Sequence, residues 1–240
     1  MKIIVSDFDN TITKNRIILK ENKEAVKKFR EAGNLFFICS GRGKNARRGM
    51  GGIERDGLLM ASGSAMEIGD EVIESYFEKG VIKEVYSFIK KNYPSHVTFN
   101  GNSHFVYCLK FYFKKLKNKD LELYDDVTSI TSFLFNKKRM LNEANDLNKL
   151  FKGKLNTFPN SGCVDIVPPN VSKANTCDFI KNKYGVDKVY VIGDNLNDLE
   201  MIERHKGACV SSGLKEVKEK ATYVYDSLAL YIEDILNEKI

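Results

Sequence analysis

Lys2-Ile3-Ile4-Val5-Ser6-Asp7-Phe8-Asp9-Asn10-Thr11 is an apolar, β-branched run that ends in two carboxylates one residue apart and then a turn. The run predicts a buried strand, and residues two apart on extended backbone point the same way, so Asp7 and Asp9 share a face at its carboxyl end. Two carboxylates held together repel, which calls for a shared proton, a base or a cation. Mg²⁺ suits them, since it takes hard oxygen ligands and completes its shell with water and substrate phosphate. Asn10 turns the chain, as one of the few residues other than glycine that accept a left-handed backbone. The stretch alone is also compatible with ordinary turn residues after a strand, where Asp and Asn are common.

Moving outward, Lys20 to Ala32 reads as a helix with Ala25, Val26 and Phe29 on one stripe and Gly33 as its terminator. The apolar run Leu35 to Cys39 then ends at Ser40-Gly41-Arg42-Gly43. Strand, helix and strand with short links predict a βαβ unit in a parallel sheet covered on both faces. Ser40 is thereby placed on the same sheet edge as Asp7 and Asp9, with glycine N–H groups free to approach a phosphate. Gly41-x-Gly43-x-x-Ala46 also fits a loose dinucleotide fingerprint, although it follows the second strand and lacks the acidic residue about 20 positions on. Arg42, Lys44, Arg47 and Arg48 make this loop basic, for substrate phosphate or for solubility.

A third strand is expected over Leu58 to Ala61, followed by a hairpin of Ala65 to Ile68 and Val72 to Tyr76 around Gly69-Asp70. From there the pattern changes. Val81 to Ile89 marks a helix stopped by Pro94, Val97 to Phe99 and His104 to Phe113 read as strands around an Asn100-Gly101 turn, and Lys114, Lys115, Lys117 and Lys119 form a basic connection. Val127 to Phe135 reads as a strand, Met140, Ala144, Leu147 and Phe151 as one helix face, and two strands around Lys154 to Phe158 and Cys163 to Val167 end at Pro168-Pro169. Hairpins mixed with helices indicate an inserted α+β module over 79–168, between core segments 1–78 and 169–240, with the two prolines as a stiff return.

Ser172 caps a helix that runs through Tyr184 to Gly185. Lys173 in its first turn has the wrong sign for the helix macrodipole, which raises the expectation of a task for it. Lys188 to Ile192 is the next buried strand and leads into Gly193-Asp194-Asn195-Leu196-Asn197-Asp198. Short strands at Ala208 to Val210 and Thr222 to Tyr225 and a helix over Leu228 to Leu236 close the chain. Strand ends thus carry Asp7 with Asp9, Ser40, and Asp194 with Asp198, with Lys173 just downstream of the insert. A carboxylate nucleophile, a neighbouring acid/base, a hydroxyl and an ammonium for phosphoryl oxygens, and carboxylates for Mg²⁺ are the parts of phosphoryl transfer.

Composition bounds the partners. The 240 residues are 42% apolar, enough for a core, and no run approaches a membrane span of about 20 residues. No charged and apolar leader separates Met1 from the first strand, so a cytoplasmic location is expected. Cys39, Cys108, Cys163, Cys177 and Cys209 are odd in number and lack a C-x-x-C pair, as suits reduced thiols. From Lys79 to Pro168 there are 15 Lys and Arg against 8 Asp and Glu, a net of +7, while the remainder nets −1. That field either steers anions into a cleft or marks a solvated lysine-rich face.

Asp-Phe-Asp-Asn-Thr at 7–11, Ser-Gly-Arg at 40–42, Val171-Ser172-Lys173 and Gly193-Asp194-Asn195-x-Asn197-Asp198 together resemble the four motifs of the haloacid dehalogenase-like phosphatases. The place of the insert resembles subfamily IIB, the Cof-type members. The resemblance implies an α/β fold, a Rossmann-like, doubly wound, mainly parallel sheet with an inserted α+β cap domain. It implies that Asp7 attacks phosphorus to form an aspartyl phosphate and that Asp9 protonates the leaving oxygen and then activates water. It gives Ser40 and Lys173 to the phosphoryl oxygens, with Asn10, Thr11, Gly41, Arg42 and Asn197 as further phosphate contacts. Metal residues are Asp7, Asp9 through its backbone carbonyl, Asp194, and Asp198 in support or through water. Asn10 stands where the family has glycine, Ser62-Gly63-Ser64-Ala65 replaces a common Asn-Gly-Ala segment, and Ser212-Gly213 replaces part of Met-Gly-Asn-Ala. The expected activity is Mg²⁺-dependent hydrolysis of a small phosphorylated metabolite, a sugar phosphate as best guess. Alternatives are a phosphomutase, a nucleic-acid-binding module on an inactive scaffold, and a dinucleotide enzyme resting on Gly41 and Gly43. Leaving-group contacts are expected from Asn100 to Ser103 and Thr157 to Gly162, and His96, His104 and His205 are given no chemistry.

Overall fold

In the computed structural model, residues 1–101, 105–108 and 126–240 are described. The chain opens with β1 (Ile3–Ser6), a small hairpin of β2 (Thr13–Lys14) and β3 (Ile17–Ile18), α1 (Lys20–Glu31), β4 (Leu35–Cys39), β5 (Gly57–Met60), β6 (Ala65–Ile68) and β7 (Glu71–Glu74). There follow α2 (Val81–Asn92), β8 (His96–Gly101), β9 (Phe105–Cys108), β10 (Val127–Phe133), α3 (Lys137–Leu150), β11 (Asn156–Asn160) and β12 (Cys163–Val167). The remainder is α4 (Lys173–Tyr184), β13 (Tyr190–Gly193), α5 (Leu199–Arg204), β14 (Ala208–Val210), α6 (Lys215–Lys218), β15 (Tyr223–Tyr225) and α7 (Leu228–Leu236).

The main sheet has eight strands in the order β15-β14-β13-β1-β4-β5-β6-β7, parallel except for β6 and β7, which pair antiparallel at one edge. From β1 the chain builds toward β4 and β5 on one side, and later from β13 toward β14 and β15 on the other. The strand order therefore reverses between β1 and β13, the crevice where open α/β sheets place ligands. Both faces are covered, which is why the central strands are apolar throughout. On one face Ile4, Phe36, Ile38, Leu58 and Ile192 pack with Val26 and Phe29 of α1 and Tyr231 and Ile235 of α7. On the other Ile3, Val5, Phe37, Leu59 and Val191 pack with Ala174, Cys177 and Ile180 of α4. The expected α/β class and its mainly parallel sheet are observed.

A second, antiparallel sheet, β11-β12-β10-β8-β9, is made wholly of residues from the insert and has its own core. Val85 and Ile89 of α2 and Ala144 and Leu147 of α3 cover it. The expected antiparallel pairing of Val97 to Phe99 with the strand that follows is observed as β8 with β9, but Asn100-Gly101 is not its turn. Both residues are strand residues of β8, Asn100 opposite Phe105 and Gly101 opposite Val127. Asn100 is buried and donates to Ser129 Oγ at 3.1 Å, and that pairing overrides its turn propensity. Of the second strand expected over His104 to Phe113, only 105–108 fall within the described residues. The lysines at 114, 115, 117 and 119 lie outside them.

Glu143 of α3 is fully buried in this second core. Ser132 Oγ donates to its Oε2 at 3.1 Å, while Oε1 has no hydrogen-bond partner among the described residues. Burial pushes its carboxyl from an ordinary 4.5 up to about 7. The folded state therefore keeps a proton that the unfolded chain has lost, so the contribution to stability falls as pH rises from about 4.5 to about 7. Glu143→Gln mimics the protonated form. Its melting temperature should match that of the parent near pH 4.5 and exceed it at pH 8, by about 3 kcal/mol in unfolding free energy, as thermal denaturation at the two pH values would show.

Candidate active site

The parallel register aligns the site. Ser6 lies opposite Ile192 of β13 and Ile38 of β4, and the Asp7 amide donates to Ile192 O at 2.9 Å. Asp7 and Asp9 after β1, Ser40 after β4 and Asp194 after β13 thus emerge along one edge. Asn10 has φ 57°, the left-handed turn expected of it, and its side-chain amide donates to Asp194 Oδ2 at 3.5 Å.

At the floor of the crevice Lys173 is 1% exposed and donates to Asp7 Oδ1 at 2.6 Å and Asp198 Oδ1 at 2.5 Å. An exposed lysine at a helix start would need no explanation; this one is buried between carboxylates, whose charge offsets the opposing macrodipole. Ser172 caps α4, accepting from the Asn175 amide at 3.1 Å, which fixes where Lys173 leaves the helix.

Asp198 is fully buried, and its other oxygen accepts from the amides of Asp194 and Asn195 at 3.0 and 3.1 Å. The chain must pass very close to it: a Cβ on Gly193 would stand 2.4 Å from the Asp198 carboxyl carbon, so only glycine fits there. Both Asp198 oxygens are therefore engaged, and the residue ties the Asp194 loop to Lys173. Oxygens of Asp7, Asp194 and Asp198 all lie within 4.8 Å of one another. Burial, with the neighbouring carboxylates, pushes the Asp7 carboxyl well above its usual range, against the pull of Lys173. Burial and Asp198 likewise push Asp194 to about 7. One ammonium among three carboxylates leaves two negative charges uncompensated, and an oxygen donor set with that charge fits a hard divalent cation.

Asp9 is placed elsewhere. Its carboxylate is held by Arg42, Nε at 2.7 Å and a terminal nitrogen at 2.5 Å, with the guanidinium 5.6 Å over the Phe8 ring. Among the metal residues expected from sequence, Asp9 has no carboxylate oxygen in the buried cluster, and Arg42, expected on phosphate, is paired with Asp9. Two further cations of the basic loop are paired, Lys44 with Glu74 and Arg47 with Glu67 at 3.1 Å, while the Arg48 side chain lies outside the described ones. After Gly43 the chain forms a 3₁₀ turn over Lys44–Met50, so the loose dinucleotide fingerprint does not open an α-helix.

Ser40 is buried, with its hydroxyl accepting from the Arg42 amide at 3.1 Å. Gly41 faces the second sheet, where a Cβ would come within 2.6 Å of Asp165 Oδ2. Thr11 is buried with its hydroxyl unpartnered among the described residues, and Asn197 is buried beside Gly41. Asp7, Asp9, Asn10, Ser40, Gly41, Arg42, Asp194 and Asn197 line a cavity of about 430 Å³, which Lys173, Asp198 and Thr11 do not line.

Sequence reasoning missed Arg16, Phe133 and Asn195, which also line this cavity. Asn160 and Ser161 fall within the segment expected to meet the leaving group, and both accept from Asn195 Nδ2, at 3.2 and 2.8 Å. Asn100 does not line the cavity; it packs against Gly43 instead.

Comparison with known proteins agrees with this architecture. The profile of the haloacid dehalogenase-like hydrolases matches residues 4–229. The 5-amino-6-(5-phospho-D-ribitylamino)uracil phosphatase YwtE of Bacillus subtilis is 25% identical over an alignment of 285 positions that covers 99% of each chain. The structure of SMU.1108c from Streptococcus mutans superposes with a TM-score of 0.84 at 16% identity, covering 98% of this chain and 99% of that one. That of the haloacid dehalogenase subclass IIB sugar phosphatase BT4131 gives 0.80 at 18% identity, with 98% and 99% covered. With the carboxylate-bearing strand ends and the near full-length profile match in place, the chain belongs to the haloacid dehalogenase-like hydrolase family.

Proposed function

We propose that the chain is a Mg²⁺-dependent phosphatase that acts on a small phosphorylated metabolite of the sugar-phosphate class through an aspartyl phosphate on Asp7. The observation that carries this reading is Lys173, buried between Asp7 and Asp198 and behind the cavity that Asp7 and Asp194 line. Asp7 attacks phosphorus and the ester oxygen departs with a proton from Asp9; Asp9 then takes a proton from the water that cleaves the aspartyl phosphate and restores Asp7. Arg42 grips Asp9 by both oxygens and orients it. Lys173 and Ser40 hold the phosphoryl oxygens. Asp7, Asp194 and the Asp9 backbone carbonyl would hold the ion, with Asp198 fixing the loop. When bound, Mg²⁺ offsets the charge of the phosphoryl group and of the carboxylates that face it.

The insert, 79–168, is the cap over a core of 1–78 and 169–240, and its Asn160 and Ser161 close one side of the cavity. The sugar-phosphate class is supported by the names of two relatives, a sugar phosphatase and a phosphatase of a phosphoribityl compound. A cytoplasmic location is supported by Cys39, Cys163, Cys177 and Cys209, all buried and free. The test is phosphate release from a panel of phosphorylated metabolites with Mg²⁺ and with EDTA, beside Asp7→Asn. Release that needs the metal and is lost in the variant is the expected result. Activity that survives EDTA, or survives the substitution, would sink the proposal, and isomerisation with little free phosphate would point to a mutase.

A further inference from the structure

The hairpin β2–β3 turns on two residues, Asn15 and Arg16, since Lys14 pairs with Ile17. Both have positive φ, 52° and 66°. A two-residue turn of this kind favours Asn followed by Gly, because the second position crowds any side chain. The chain has arginine there instead. That strained arginine lines the same cavity as Asp7, from an exposed position at its rim, whereas Asp7 lies buried at its floor.

Charge separates Arg16 from the other cations near the site. Lys173 is taken up by Asp7 and Asp198, and Arg42 by Asp9. Arg16 pairs with no carboxylate among the described residues. The remaining rim groups, Phe133, Asn160 and Ser161, supply an apolar surface and neutral hydrogen bonds, as the hydroxyls of a polyol require. A guanidinium fork instead matches a carboxylate or a phosphate.

We infer that the leaving group of the substrate carries a second anionic group, a carboxylate or another phosphate, and that Arg16 is the residue that reads it. This rests on the phosphatase reading and narrows its substrate class. The phosphoryl group to be transferred sits at the floor with Asp7; the second anion sits at the rim with Arg16. The strain at φ 66° is retained because glycine in that place would leave the rim without a cation.

The experiment measures kcat and KM on three phosphomonoesters of similar size, whose leaving groups carry only hydroxyls, a carboxylate, or a second phosphate. The parent should favour one or both anionic esters by about tenfold or more in kcat/KM, chiefly through KM. The better of the two identifies the anion. Arg16→Gln should bring the ratio of anionic to neutral ester close to one. Arg16→Gly should do the same and melt at or above the parent temperature, because glycine relieves the turn. A parent without preference, or variants that lose activity equally on all three esters, overturns the inference while leaving the phosphatase reading intact. Failure to turn over any ester overturns both.

Discussion

Asp7→Asn should abolish phosphate release, lowering kcat by at least about 10⁴-fold, because an amide cannot form the aspartyl phosphate. The same substitution should not weaken the fold in EDTA. Asp7 is one of three carboxylates sharing a single ammonium, and burial holds its carboxyl well above the usual range. Removing that charge relieves repulsion with Asp194 and Asp198, while Lys173 keeps Asp198 as its partner. Asp7→Asn should therefore melt at or above the parent in EDTA and gain less from added Mg²⁺, since it offers the ion one charged ligand fewer. Calorimetry with and without the metal, together with phosphate assays, reads both effects. A variant that unfolds more easily in EDTA would show that the ion pair, not the repulsion, dominates at Asp7.

Lys173→Met should fail on both counts. Two carboxylates lose their ammonium in a site with almost no solvent, and breaking a buried pair in this way costs about 3–5 kcal/mol. Asp7, already raised by burial, then holds its proton to still higher pH, so the loss should be smaller near pH 5 and grow as the solution is made alkaline. Added Mg²⁺ should recover part of the stability, about 2.7 kcal/mol at a hundred times its Kd, by supplying positive charge to the same oxygens. Activity should stay down by about 10²–10³-fold even with saturating metal, because the variant lacks the donor that faces the phosphoryl oxygens. Recovery of full activity with Mg²⁺ would reduce Lys173 to a structural counterion.

The contrast between these residues shows how a local pattern and its surroundings divide the work. The apolar runs that end at Asp7, Ser40 and Asp194 read as buried strands because β-branched residues in short blocks have few other uses, and all three are strands. Ser172 and Gly185 bracket α4 as capping chemistry requires, with Gly185 left-handed at φ 61°. The Asn100-Gly101 pair misled because the same dipeptide can fill a strand when its side chains find partners across the sheet.

From chain order alone, then, followed the parallel core, the inserted α+β segment, and the grouping of Asp7, Ser40, Lys173, Asp194 and Asp198 near one edge. Those features depend on periodicity, capping and strand ends, which are local properties of the chain. Which carboxylates share Lys173, that Asp198 spends both oxygens on its neighbours, that Arg42 clamps Asp9 and that Arg16 reaches the rim were settled only by the fold. Each depends on side chains brought together from distant segments, as with Asp7 and Lys173, 166 positions apart in the chain, and no local pattern records such a meeting.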